Sequence, residues 1–137
     1  TLAAVEENGL TQYAHDSLPK LFSETSLTDN REAVDRIEKM ILDTPVATIV
    51  NTLRALADRN ETCSELVRIN IPAMILVGES DQITSPALAL KMNQLITGST
   101  LQVIERAGHL SNLENPVTFN GHVKKFLATI QQVNKRL

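Results

Sequence analysis

Two residues in this 137-residue chain could act together on a substrate: Asp81 and His109. A carboxylate beside an imidazole fixes the ring's tautomer and stabilises the imidazolium. It leaves the other ring nitrogen free to act as a base. Taken singly, each has a plainer explanation, since an Asp shortly after Gly forms turns and a Gly-His pair sits in loops. Their interest comes from placement, because each follows a short apolar run by a few residues.

Other reactive types lack such partners. Cys63 is the sole cysteine and stands in a polar connector without a neighbouring His or helix start to lower its pKa. His15 and His122 fall on predicted helices with no ligand at metal spacing, and no His, Cys, Asp and Glu cluster has zinc spacing, so no metal site is expected. Ser85 reads as a helix cap, Ser111 as a cap or loop residue, and Glu79 as a solvated rim carboxylate.

The elements that must hold Asp81 and His109 follow from the hydrophobic pattern. Ala73 to Val77 is continuously apolar and ends at Gly78, which suits a strand covered on both faces in a parallel sheet. Asp81 then lies on the loop at that strand's carboxyl end, where open α/β sheets place ligands. Ser85-Pro86 opens a helix carrying Leu88, Met92, Leu95 and Ile96, with Gly98 as its stop. A second strand is predicted from Thr100 to Glu105, then a loop bearing Gly108 and His109. Asn115-Pro116 starts a last helix with Val117, Val123, Phe126, Leu127 and Ile130 inward. Strand, helix, strand, helix specifies a right-handed parallel crossover, which puts both loops on one rim.

The first half, to about Ile69, reads as helices only. Gly9 ends a short first helix. A second runs from Thr11 to Phe22 and is expected to kink at Pro19. Residues 23–30 look turn-like, and Asp29 with Glu32 resembles a capping box for a helix that aligns Val34, Ile37, Met40 and Ile41. Thr44-Pro45 is read as an N-cap with a first-turn proline, starting a helix to about Arg59. Two strands cannot cover a run as apolar as 73–77, so the sheet is expected to be completed by further residues or another chain.

Composition narrows the function classes. A net charge of −3 carries no basic excess, and aromatics at 3% with no Trp offer no base-stacking surface, so no nucleic acid is expected as a partner. No run approaches the roughly 20 apolar residues of a membrane span, and no membrane partner is expected. The lone cysteine fits a reducing compartment, and a cytoplasmic location is expected.

Gly78-Glu-Ser-Asp81 followed by Ser85-Pro86, then Gly108-His109-Leu110 followed by Glu114-Asn115-Pro116, resembles the C-terminal part of an α/β-hydrolase. The match is good over about residues 71–130. The resemblance implies an α/β fold with two parallel strands and flanking helices, preceded by an all-helical lid. Residues 1–44 would be the lid and residues 45–137 the end of the core. Glu7 to Leu10 and Leu18 to Phe22 resemble the lid of enol-lactonase-like and carboxylesterase-like members. Asp81 and His109 would be two members of a Ser-His-Asp triad. Leu18, Phe22, Ile37 and Met40 would be candidates for a substrate pocket wall, with packing between lid helices an equal alternative.

The nucleophile is missing. A Gly-x-Ser-x-Gly elbow should precede both the acid and the histidine, yet no two of the five glycines are four apart. The chain, which begins at Thr1, is therefore expected to be a C-terminal portion of a hydrolase of a small-molecule ester or lactone, inert alone and needing no cofactor. A homo-oligomer or association with the N-terminal half would complete it. Two other readings stay open: a non-catalytic oligomerising module, and a dehalogenase- or epoxide-hydrolase-like parent with an Asp nucleophile.

Overall fold

The computed structural model describes residues 2–134. Four α-helices come first: α1 (Leu2–Leu21), α2 (Glu24–Asp29), α3 (Arg31–Asp43) and α4 (Val46–Ala57). A short 3₁₀ helix (Cys63–Arg68) leads into β1 (Met74–Gly78). After it come α5 (Pro86–Leu95), β2 (Thr100–Ile104), α6 (Ser111–Glu114) and α7 (Pro116–Asn134). The two strands pair in parallel, Met74 opposite Thr100 through Gly78 opposite Ile104. In-register pairing at the carboxyl ends puts the two loops that follow side by side.

Glycine decides where α1 bends. Gly9 adopts φ 75°, ψ −179°, the one non-helical residue between Leu2 and Leu21, and its positive φ is open to glycine at little cost. Pro19 does not split the helix, which continues to Leu21. Without an N–H it cannot bond the His15 carbonyl, but it lies within the last turn, before the helix ends at Leu21. The stretch expected to be turn-like forms α2. Ser23 caps it, its Oγ accepting from the Ser26 N–H at 3.2 Å.

Two further caps differ from expectation. α3 is capped by Asn30 rather than Asp29, through the Ala33 N–H. At the start of α4 the capping position is Pro45, and Thr44 instead donates its hydroxyl back to the Met40 carbonyl at 2.6 Å. A threonine that bonds backward closes the preceding helix rather than opening the next. Ser85 takes its predicted place before Pro86, yet its side chain makes no capping bond. Asn115 does cap α7, accepting from the Thr118 N–H at 3.2 Å.

Two apolar clusters hold the first four helices together. Val5, Ile49 and Val50 join α1 to α4, and Leu18, Phe22 and Val34 join α1 to α3. Leu110, from the loop after β2, packs on the second cluster. The sheet is less enclosed than its sequence suggests. Met74, Ile75 and Leu76 are only partly buried, and Val77 and Gly78 alone in β1 are fully covered. Among the described residues β1 pairs only with β2, which leaves its outer edge open along a groove of about 650 Å³. α7 likewise leaves Val117 and Leu127 exposed, against the expectation that they face inward. No helix among the described residues is long and apolar enough to cross a membrane.

Candidate active site

Parallel pairing brings Asp81 and His109 together across the two strand ends. His109 Nδ1 lies 3.0 Å from Asp81 Oδ2. An ionised carboxylate can only accept, so the Nδ1 carries the ring proton of the neutral imidazole and the Nε2 lone pair is the basic one. The Asp81 side chain is almost fully buried, whereas that of His109 is about one-third exposed (32%). The pair thus has a sheltered acid and an imidazole that a reactant can reach.

Thr84 completes the acid's surroundings. Asp81 Oδ1 accepts from the backbone N–H of Ile83 at 2.8 Å and of Thr84 at 2.9 Å. Its Oδ2 accepts the Thr84 hydroxyl at 2.8 Å, and that same oxygen of Thr84 lies 3.3 Å from His109 Nδ1. Burial opposes ionisation of Asp81. The bonds from the Thr84 N–H, His109, the Thr84 hydroxyl and the Ile83 N–H outweigh it and hold the carboxyl below its ordinary value. The carboxylate is therefore held in position, and its ionised form is favoured. Thr84 was not singled out from the sequence. The signal was there, since Asp-x-x-Thr is the spacing at which an Asp side chain closes a turn on N–H groups two and three residues on.

The loop bearing His109 is held by its neighbours at several points. Arg106, in the left-handed region at φ 56°, turns the chain out of β2, and Glu79 accepts its N–H at 3.1 Å. Glu79 is thus an exposed rim carboxylate, as expected, that also tethers this turn. Ser80 N–H donates to the Ala107 carbonyl at 2.9 Å. There is no room for larger residues here. A Cβ on Gly78 would lie 2.5 Å from the Ala107 oxygen and closer still to that of Gly108. A Cβ on Gly108 would lie 2.8 Å from the backbone of Phe22 and Ser23. Both glycines are required by close backbone approach.

The four apolar candidates divide. Ile37 and Met40 line a groove of about 320 Å³ with Tyr13, Leu21, Leu53 and Leu110, the residue next to His109. Leu18 and Phe22 do not line it. They lie in the cluster between α1 and α3, with Phe22 only 1% exposed. The groove's Thr44 and Thr52 donate their hydroxyls to backbone carbonyls of α3 and α4, which leaves the wall mostly apolar. Cys63 is exposed, and the adjacent Glu61 pushes its thiol up, the reverse of activation. Among the described residues no three His, Cys, Asp or Glu side chains are grouped to hold a metal ion.

Residues 1–116 match the family model described as alpha/beta hydrolase fold. The chain is 32% identical over 128 residues to 3-oxoadipate enol-lactonase 1 of Acinetobacter baylyi, covering 93% of this chain and 47% of that protein. Its likeness to enol-lactonase 2 of the same organism is 31% over 120 residues, covering 88% and 44%. Among solved structures, a thermophilic esterase from Thermogutta terrifontis superposes with a TM-score of 0.87 at 26% identity, covering 94% of this chain and 47% of that one. The enol-lactonase of Burkholderia xenovorans, at 23% identity, shares the fold with a TM-score of 0.85, covering 93% and 48%. The chain spans about half the length of the curated relatives it matches. From strand order, loop placement and this likeness together, the chain belongs to the alpha/beta hydrolase fold family.

Proposed function

We propose that this chain supplies the acid and the base of a hydrolase acting on an ester or lactone bond of a small, mostly apolar molecule. The nucleophile would come from residues outside these 137. The observation that carries the proposal is the 3.0 Å contact between His109 and an Asp81 whose other oxygen is already saturated by two backbone N–H groups. In this reading His109 Nε2 takes the proton of an attacking hydroxyl and delivers it to the leaving oxygen. It then deprotonates the water that cleaves the acyl intermediate, while Asp81 stabilises the imidazolium at each stage. Helices α1 to α3 form the cap, and the groove lined by Ile37 and Met40 receives the apolar part of the substrate. The lactone alternative rests on the names of the relatives, and the apolar preference rests on the groove.

The open edge of β1 supports association with an N-terminal half or with another copy of the chain, because an unpaired apolar strand edge invites a further strand. A reducing, cytoplasmic setting belongs to the same reading, with Cys63 as an exposed free thiol. The test is hydrolysis of p-nitrophenyl esters and simple lactones by the 137-residue chain and by the protein extended with its upstream coding sequence. The extended protein should turn over, and His109→Ala should cost it at least about a thousandfold. Turnover by the 137 residues alone, abolished by His109→Ala, would overturn the claim that the nucleophile lies elsewhere.

A further inference from the structure

The carboxylate of Glu114 is not explained by the acid–base pair, yet it touches two parts of the molecule that the site depends on. Its Oε1 accepts the backbone N–H of Gly108, the residue before His109, at 2.7 Å. Its Oε2 accepts the backbone N–H of Ser23, which joins α1 to α2, at 2.7 Å. These segments lie 91 and 6 residues away from Glu114 in sequence. Both distances are at the short end expected when the acceptor is charged. A carboxylate can serve both donors, whereas an amide has one acceptor oxygen and would turn N–H against N–H at the other.

The same two segments meet at further points. Leu110 N–H donates to the Leu21 carbonyl at 3.2 Å, and the Ser23 hydroxyl reaches the Arg106 carbonyl at 3.2 Å. Gly108 lies against the backbone of Phe22 and Ser23 too closely for any Cβ, and Leu110 packs on the cluster of Leu18, Phe22 and Val34. The His109 loop is therefore seated on the end of α1 rather than standing free on the sheet. Among the described residues, Glu114 is the one side chain whose two carboxyl oxygens accept from both sides of this seam.

We propose that Glu114 is a positioning residue that couples the setting of His109 to the docking of the cap. When the α1–α2 junction is seated, both oxygens of Glu114 are engaged and Gly108 is fixed, which holds the next residue's ring against Asp81. When the junction lifts, the carboxylate loses one donor and the loop loses its anchor. The proposal rests on His109 being the base, but it is tested by the state of the ring rather than by turnover. Its failure is thus separable from failure of the hydrolase reading.

Two measurements on the chain decide it. In the unaltered chain, amide hydrogen exchange at Ser23 and Gly108 should be slowed to a similar degree, within about threefold, because one opening releases both. Exchange rates differing by more than tenfold would overturn the coupling. In Glu114→Gln, nitrogen-15 spectra of the imidazole should show His109 passing from a single Nδ1–H form to a mixture of tautomers, and Ser23 or Gly108 should exchange at least tenfold faster. A His109 ring that stays in the single Nδ1–H form, whether or not the two amides exchange faster, would overturn the proposal. If Glu114→Gln fails to fold, the exchange rates of the unaltered chain decide alone.

Discussion

Replacing Asp81 by Asn separates the charge of this side chain from its shape, and the geometry predicts different effects on stability and on chemistry. The Asn oxygen can keep the two backbone N–H groups of Ile83 and Thr84, which lie at 2.8 and 2.9 Å. The amide nitrogen must then face Thr84 Oγ1 and His109 Nδ1, where Asp81 Oδ2 had accepted at 2.8 and 3.0 Å. Thr84 can turn its hydroxyl and accept. His109 can meet a donor only by moving its proton to Nε2, so the basic lone pair faces the acid position and the outer nitrogen becomes a donor. Stability should fall little. Bonds to a charged acceptor are worth about 1.5–3 kcal/mol and neutral ones about 0.5–1.5. Burial, the largest influence on Asp81, works against its charge and does not penalise Asn. A net loss of about 1–2 kcal/mol, or roughly 4–8 °C in Tm for a chain of this size, is expected. Nitrogen-15 spectra of the His109 ring should meanwhile show complete transfer of the proton to Nε2. In the extended protein, kcat should fall on the order of ten-thousandfold, the cost of a wrong tautomer in a comparable triad. A variant that keeps the proton on Nδ1, or one that loses stability beyond about 4 kcal/mol, would refute this account of the pair.

Other substitutions test the supports. Gly78→Ala would drive a methyl into the carbonyls of Gly108 and Ala107, which are backbone and cannot rotate away; a loss of about 1–3 kcal/mol in chemical denaturation is expected, with displaced amide resonances over 106–109. Phe22→Ala empties the centre of the cluster that carries Leu110, at a cost of about 3–5 kcal/mol by the same denaturation assay. Acid should weaken the fold in part through Asp81. Its pKa is depressed in the folded chain, so its contribution is complete above the ordinary carboxylate range and fades below about pH 4, as pH falls through the folded value. The Tm difference between the unaltered chain and Asp81→Asn should therefore shrink between about pH 5 and pH 2, and a constant difference would count against the depressed pKa.

The site was more legible than its surroundings because the strands announce themselves. Five consecutive apolar residues ending at Gly78, and Leu101, Val103 and Ile104 before the Gly108-His109 pair, fix two strand ends to within a residue or two. Parallel pairing then dictates that Asp81 and His109 meet. What escaped notice depends on contacts distant in sequence. Glu114 enters the sequence reading only within the Glu114-Asn115-Pro116 stretch, and its partners Ser23 and Gly108 are invisible without the fold. The helix at 24–29 was missed because its residues are polar and its only strong signal is the capping hydroxyl of Ser23. Leu18 and Phe22 have the same apolar character as Ile37 and Met40, and periodicity cannot tell a face that packs inward from one that lines a groove. The expected burial of β1 overshot because full apolarity reflects the neighbours a strand requires, and within the described residues only β2 is beside it.

The claim that His109, set by Asp81, activates a serine contributed from outside these residues is tested most directly by covalent labelling. The protein extended upstream of Thr1 would be treated with a serine-directed phosphonate ester probe and the modified residue mapped by mass spectrometry. Labelling at a serine within a Gly-x-Ser-x-Gly segment, slowed at least a hundredfold by His109→Ala and by Asp81→Asn, is the result expected. Labelling at an unchanged rate in the His109→Ala variant, or no labelled serine at all, would contradict it.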